Sequence, residues 1–198
     1  MNIQLLSDLH LETHPHWIAT PAPGADVLVL AGYIGSYQLT ASLTDTGFGL
    51  GQFSPLKGWP TPVLFVPGNH EYDALDFDEA HARLRATCER LGIIWLEREV
   101  VTYTHVGGQA LPQPVRFVGT TLWTDFDALC PSDPGDSPPL NQLAQQLKAR
   151  DKAFRAANFY HKKTSGPRYG APLLAPEIRD QALVCPAWLT KTLAPPFD

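Results

Sequence analysis

The tightest constraint on this chain is a unit it repeats: a short aliphatic run that breaks straight into a turn carrying polar groups. The clearest copy is Asp26-Val27-Leu28-Val29-Leu30-Ala31-Gly32, with an acid before it and a glycine after. Four adjacent aliphatics lack the alternation of a half-exposed strand. The run therefore reads as a strand buried on both faces, as in parallel sheets. Ile3 to Leu6 likewise reads as a short buried strand and leads into Asp8-Leu9-His10. Val63 to Val66 leads into Gly68-Asn69-His70-Glu71. Open α/β sheets present their chemistry at the carboxyl ends of such strands.

Helical signals lie between and after these runs. Asp76 with Glu79 three residues on marks a helix start in the manner of a capping box, and Gly92 marks its stop. Phe77, Ala80, Leu84, Cys88 and Leu91 make one apolar stripe. Ile93 to Leu96 predicts a further strand. Val100 to Tyr103 and Val115 to Trp123 alternate, as half-exposed antiparallel strands do. Leu140 to Tyr160 predicts a helix with Leu143, Leu147, Ala153 (or Phe154) and Ala157 on one face. Ile178 to Leu193 predicts another, with Leu183, Trp188 and Leu189 buried. A short helix is expected to open at Thr40 to Leu43, and Pro131 to Pro139 reads as a loop. Gly47-Phe48-Gly49-Leu50-Gly51 does not follow a strand directly and is no dinucleotide fingerprint. The fold class expected is mixed α/β, a parallel core with antiparallel additions, as one domain over residues 1–198.

Composition narrows the functions. A net charge of −5 on 198 residues argues against a grip on bulk nucleic acid. It leaves room for a small phosphorylated substrate held through a metal. Cys88, Cys130 and Cys185 are odd in number and far apart, a reduced pattern and not a disulfide frame or zinc knuckle. With no leader-like start and no apolar run of membrane length, no membrane partner and a cytoplasmic location are expected. His14 and His16 flank Pro15 in a loop and read as surface residues. His81 and Cys88 fall on the helix after Asp76 and receive no catalytic role.

Asp8 offers a hard anionic oxygen and His10 a borderline nitrogen, a pair suited to Zn, Mn or Fe. Three strand ends then stand in order: Asp8-x-His10, Gly32-Tyr33 and Gly68-Asn69-His70-Glu71. This order resembles the calcineurin-like metallophosphoesterases, whose first and third motifs match Leu6 to His10 and Val66 to Glu71. Gly119 to Phe126 is similar to a segment of bacterial members. The resemblance implies a two-sheet β-sandwich flanked by helices and metal-dependent hydrolysis of a phosphomonoester or phosphodiester. It also implies two divalent metals: Asp8 and His10 on the first, and the Asn69 amide oxygen on the second. His70 would be catalytic, contacting the phosphate or protonating the leaving oxygen.

Two departures qualify that expectation. Tyr33 stands where the family has the aspartate that bridges both metals. A phenol has one oxygen and a pKa of about 10, and it reaches further than a carboxylate. Glu71, Asp73 and Asp125 are the nearby carboxylates that could compensate. The family's late T-H-x-x-P and G-H-x-H motifs have no counterpart, so the C-terminal part of the fold is expected to be missing. Fewer metals than two, or none, and impaired activity are therefore expected. The alternative is an inactive remnant or pseudoenzyme serving as a phosphate- or protein-binding module. Strands left without partners would expose a sheet edge and favour self-association. Trp123, Thr124 and Asp125 are equally compatible with the rim of a site and with core and turn.

Overall fold

Four largely apolar runs become one parallel sheet: β1 (Ile3–Leu6), β2 (Val27–Ala31), β3 (Val63–Val66) and β4 (Ile94–Trp95), in that order across the sheet. This computed structural model describes residues 1–38, 42–43, 47–128 and 140–197. The helix expected to open at Thr40, the loop from Pro131 to Pro139, and Cys130 fall at least partly outside them. The strands are in step: Leu6 lies opposite Leu30, Leu30 opposite Phe65, and Phe65 opposite Trp95. Level strands bring the residues after Leu6, Ala31 and Val66 to one edge, and that edge becomes the site.

Side-chain alternation gives the sheet two faces. Leu28, Leu30 and Phe65 share a core with α1 (Phe77–Leu91), whose buried residues include Phe77, Ala80, Leu84, Cys88 and Leu91, as the stripe predicts. Asp76 caps α1, its side chain accepting from the Asp78 and Glu79 amides at 3.0 and 3.3 Å. Gly92 closes it with φ 69°. On the other face, Val27 and Leu64 meet Val101, Tyr103 and Phe117 of an antiparallel hairpin, β5 (Glu99–Val106) and β6 (Gln109–Gly119). Within β1, Ile3 and Leu5 stay 51 % and 64 % exposed. The expectation of a buried first strand is corrected: β1 is a half-exposed edge because β2 is its only neighbour in the sheet among the described residues.

Two long helices follow, α2 (Leu140–Thr164) and α3 (Ala175–Leu193), separated by the short pair β7 (Pro167–Arg168) and β8 (Ala171–Pro172). The predicted face of α2 is wrong in its first half, where Leu143 and Leu147 are exposed. The helix instead turns Gln146, Ala149, Arg150, Ala153, Phe154 and Ala157 inward. Phe154 meets Phe126 edge-on and Arg150 pairs with Asp127 at 3.3 Å, contacts that set the rotation. On α3, Ile178, Ala182 and Cys185 are buried at i, i+4 and i+7, which leaves Leu183 off the stripe and exposed. Trp188 and Leu189 are half-buried. Asp127 also pairs with Arg179, tying the segment after β6 to both helices. Burial of Asp127 acts against this, but the two guanidinium groups hold its carboxyl below the usual range.

The architecture is thus mixed α/β: a four-stranded parallel sheet, two small antiparallel sheets and three α-helices among the described residues. No helix among them is long and apolar enough to cross a membrane.

Candidate active site

Backbone bonds stitch the loops after β1 and β2 together. The amides of Asp8, His10 and Leu11 donate to the carbonyls of Gly32, Tyr33 and Ile34 at 3.1, 3.0 and 2.9 Å. Asp8, His10 and Tyr33 all take left-handed backbone, with φ of 56°, 49° and 57°. Non-glycine residues reach this region at a cost in strain, and such strain collects where a fold positions chemistry. The loops after β2 and β3 meet at glycine. A Cβ on Gly32 would stand 2.8 Å from the Gly68 Cα, so the two backbones touch.

Glu71 locks this contact. Its carboxylate is fully buried and accepts from the amides of Gly68 at 2.7 Å, Ile34 at 2.6 Å and Tyr33 at 3.2 Å. Burial pushes the carboxyl upward, opposed by these backbone bonds. Glu71 is therefore a clasp between two strand ends and does not replace the missing bridging carboxylate. Asp73 does not either, because its Oδ2 holds His70 Nδ1 and accepts from Gln38 Nε2 at 3.0 Å. Asp125 is exposed and accepts from the Asp127 amide at 2.9 Å. All three expected compensations are otherwise engaged.

The rings of His10, Tyr33 and His70 form one edge-to-face cluster, with centroids 4.5 to 5.8 Å apart. Tyr33 donates its hydroxyl to Asn69 Oδ1 at 2.6 Å. Burial raises the Tyr33 phenol, with the Asn69 bond opposing it and the charges of Tyr160, Asp8 and Glu71 adding to it. His10 Nδ1 lies 2.8 Å from the buried Glu12 carboxylate, which fixes the ring. With Nδ1 occupied in both histidines, each keeps Nε2 for a ligand. Tyr33, Gly68, Asn69, Thr120, Thr121 and Leu122 line an open cleft of about 380 Å³. Thr121 anchors it by donating its hydroxyl to the Pro67 carbonyl at 2.7 Å. Trp123 packs against Tyr72 and Phe77 instead, and Thr124 caps a turn, so these two build core and turn.

The fold brings His10, Asn69 and His70 together around Tyr33, and the Asp8 loop is bonded to the Gly32 loop beside them. A two-metal centre does not fit this set. The Asn69 oxygen that would ligate is occupied by the phenol, and a tyrosine ring packs against both histidines. Among the described residues no group of three or more His, Cys, Asp or Glu is arranged to hold a metal. Glu12 and Gln38 are the contacts that sequence reasoning missed, and Asp73, named there as a possible compensating carboxylate, instead holds His70. Only the i, i+3 spacing of His70 and Asp73 within a turn hinted at that last contact. Compared with known proteins, the chain matches no family model, no curated protein and no solved structure.

The His70–Asp73 contact has a pH signature. The Asp73 hydrogen bond, opposed by burial and aided by the charges of Asp73, Glu71 and Glu12, raises the His70 imidazolium above its usual 6.5. A raised folded-state value means that the stabilisation is complete below pH 6.5 and fades as pH climbs through the folded value. Histidine-detected NMR titration should find His70 titrating above 6.5 in the native chain and lower in Asp73→Asn. An unchanged midpoint in that variant would remove Asp73 as the cause.

Proposed function

We propose that this chain is an impaired metal-dependent phosphoesterase of the calcineurin-like kind, built on that family's two-sheet frame and acting on a small phosphorylated substrate. The observation that supports it is the convergence of His10, Asn69 and His70 from level strand ends around Tyr33, with the Asp8 loop bonded alongside. In this reading Asp8, His10 and Asn69 are the remaining metal ligands, for Mn, Zn or Fe. His70, fixed at Nδ1 by Asp73, presents a proton at Nε2 to a leaving oxygen. Tyr33 is the impairing residue.

Purified protein is expected to carry well under two metals per chain and to hydrolyse p-nitrophenyl phosphate slowly, with His70→Ala slower still. Two Mn or Zn per chain with ordinary turnover would overturn the impairment. No hydrolysis under any metal would favour the second reading, an inactive phosphate- or protein-binding remnant, for which the Tyr33–Asn69 bond speaks. The same reading includes self-association through β1, whose exposed Ile3 and Leu5 carry no Lys or Pro guard between them. A sedimentation coefficient independent of concentration would remove that part.

A further inference from the structure

α2 carries Lys148, Arg150, Lys152, Arg155, Lys162 and Lys163 against a single acid, Asp151, in a chain whose net charge is −5. The rest of the chain is therefore markedly acidic, and this helix is a cationic element set upon it. Arg150 turns inward to Asp127. The other five cations are exposed, and none of them is in an ion pair among the described residues. Lys148, Lys152, Arg155, Phe159 and Lys162 stand at i, i+4, i+7, i+11 and i+14. With about 3.6 residues per turn, that spacing is one stripe along the helix, roughly 21 Å long, with Lys163 beside it.

Hydrocarbon accompanies the charge. Phe159 lies within the stripe, 69 % exposed, and the Lys163 ammonium stands 4.1 Å from its ring centroid. Leu140, Leu143 and Leu147, at i, i+3 and i+7, run along the flank of the first half and are exposed as well. Apolar side chains left in water beside a row of cations suit a partner that is anionic at its surface and apolar just beneath. A lipid leaflet with acidic headgroups has that layering. A nucleic-acid duplex would satisfy the cations but leave the leucines in water. The acidic remainder of the chain is repelled by such a leaflet, which turns α2 toward it. We propose that the outward face of α2 is a docking surface for an anionic lipid bilayer. Lys148, Lys152, Arg155, Lys162 and Lys163 meet the headgroups, and Phe159, Leu143 and Leu147 dip into the acyl boundary. Such a peripheral contact needs no spanning helix, and none of these residues lines the cleft at Tyr33 and Asn69.

Co-sedimentation of the full chain with vesicles tests the surface. Vesicles of phosphatidylcholine with about a third phosphatidylserine are expected to carry the chain down at about 0.1 M salt and to release it at about 0.5 M. Vesicles of phosphatidylcholine alone should leave it in solution. Each cation at the leaflet is worth about fivefold in affinity, so Lys148→Gln/Lys152→Gln/Arg155→Gln should weaken binding on the order of a hundredfold. Phe159→Ala keeps every charge and should weaken it about fivefold or more, because no ring enters the boundary. All four positions are exposed, so both variants should keep the native circular dichroism spectrum. If either unfolds, the salt and lipid dependence of the native chain carries the decision. No binding to the anionic vesicles, equal binding to both compositions, or no effect of either variant overturns the docking surface. Binding to a DNA duplex in preference to the anionic vesicles overturns it too. The phosphoesterase reading is decided separately, by metal content and turnover.

Discussion

Glu71→Ala is expected to lower folding stability by about 3–5 kcal/mol, read as a shift in the urea midpoint at unchanged slope. The reasoning starts from three amides, those of Gly68, Tyr33 and Ile34, which all point at one buried carboxylate. Alanine leaves these donors facing a cavity, and each unsatisfied buried donor costs roughly 1–3 kcal/mol. Water entering the cavity recovers part of that, so the full sum is not reached. Glu71→Gln keeps one acceptor oxygen but turns an NH₂ toward a donor, and should fall between the native chain and alanine. The loss is also local: Gly32 and Gly68 touch only while the clasp holds their loops together. His70 and Tyr33 should therefore lose their mutual ring contact, seen as collapse of their NMR ring-current shifts, at denaturant concentrations where α1 is still folded. A loss below about 1 kcal/mol would mean that the two loops are held by other contacts.

That clasp marks the boundary of what the sequence makes legible. The runs Val27 to Leu30 and Val63 to Val66 announce strands because four apolar residues in a row have few other uses, and the level strand ends follow. Asp76 and Gly92 announce the ends of α1 because capping chemistry is local. The amphipathic faces of α2 and α3 are harder to read. On α2 the rotation is set by Phe126 and Asp127, more than twenty residues upstream, and no periodicity within the helix contains them. The site divides in the same way. Asp8, His10, Asn69 and His70 stand out by residue type beside strand ends. Glu71, in contrast, looks in the sequence like a spare carboxylate for metal. Only its burial, and the three amides it meets there, reveal a structural role. Gln38 carries no signal at all, because an amide in an irregular loop has no partner until the loop is folded.

Tyr33→Asp is expected to raise affinity for Mn²⁺ by at least about tenfold, measured by titration calorimetry and confirmed by electron paramagnetic resonance of bound Mn²⁺. Three changes act in the same direction. Removing the phenol frees Asn69 Oδ1 from its 2.6 Å bond. Removing the ring opens the space it fills beside His10 and His70, whose centroids lie 5.5 and 4.5 Å from it. The new carboxylate supplies an anionic oxygen donor beside His10 and Asn69, a favourable addition for a hard divalent ion. Position 33 also favours the exchange, because its φ of 57° suits aspartate better than a bulky aromatic. Tyr33→Phe separates these effects: it frees Asn69 but keeps the ring and adds no donor, so its affinity should stay near that of the native chain. Turnover should recover less than affinity does. Even in Tyr33→Asp the donors are Asp8, His10, Asn69 and the one introduced carboxylate, a set suited to holding one ion and short of what two ions need. Tenfold tighter metal binding with a small rise in p-nitrophenyl phosphate hydrolysis would identify Tyr33 as the residue that silences the metal site. Unchanged affinity would mean that the Asp8 and His10 strand end is not a metal site in this chain, and the phosphoesterase reading would fall with it.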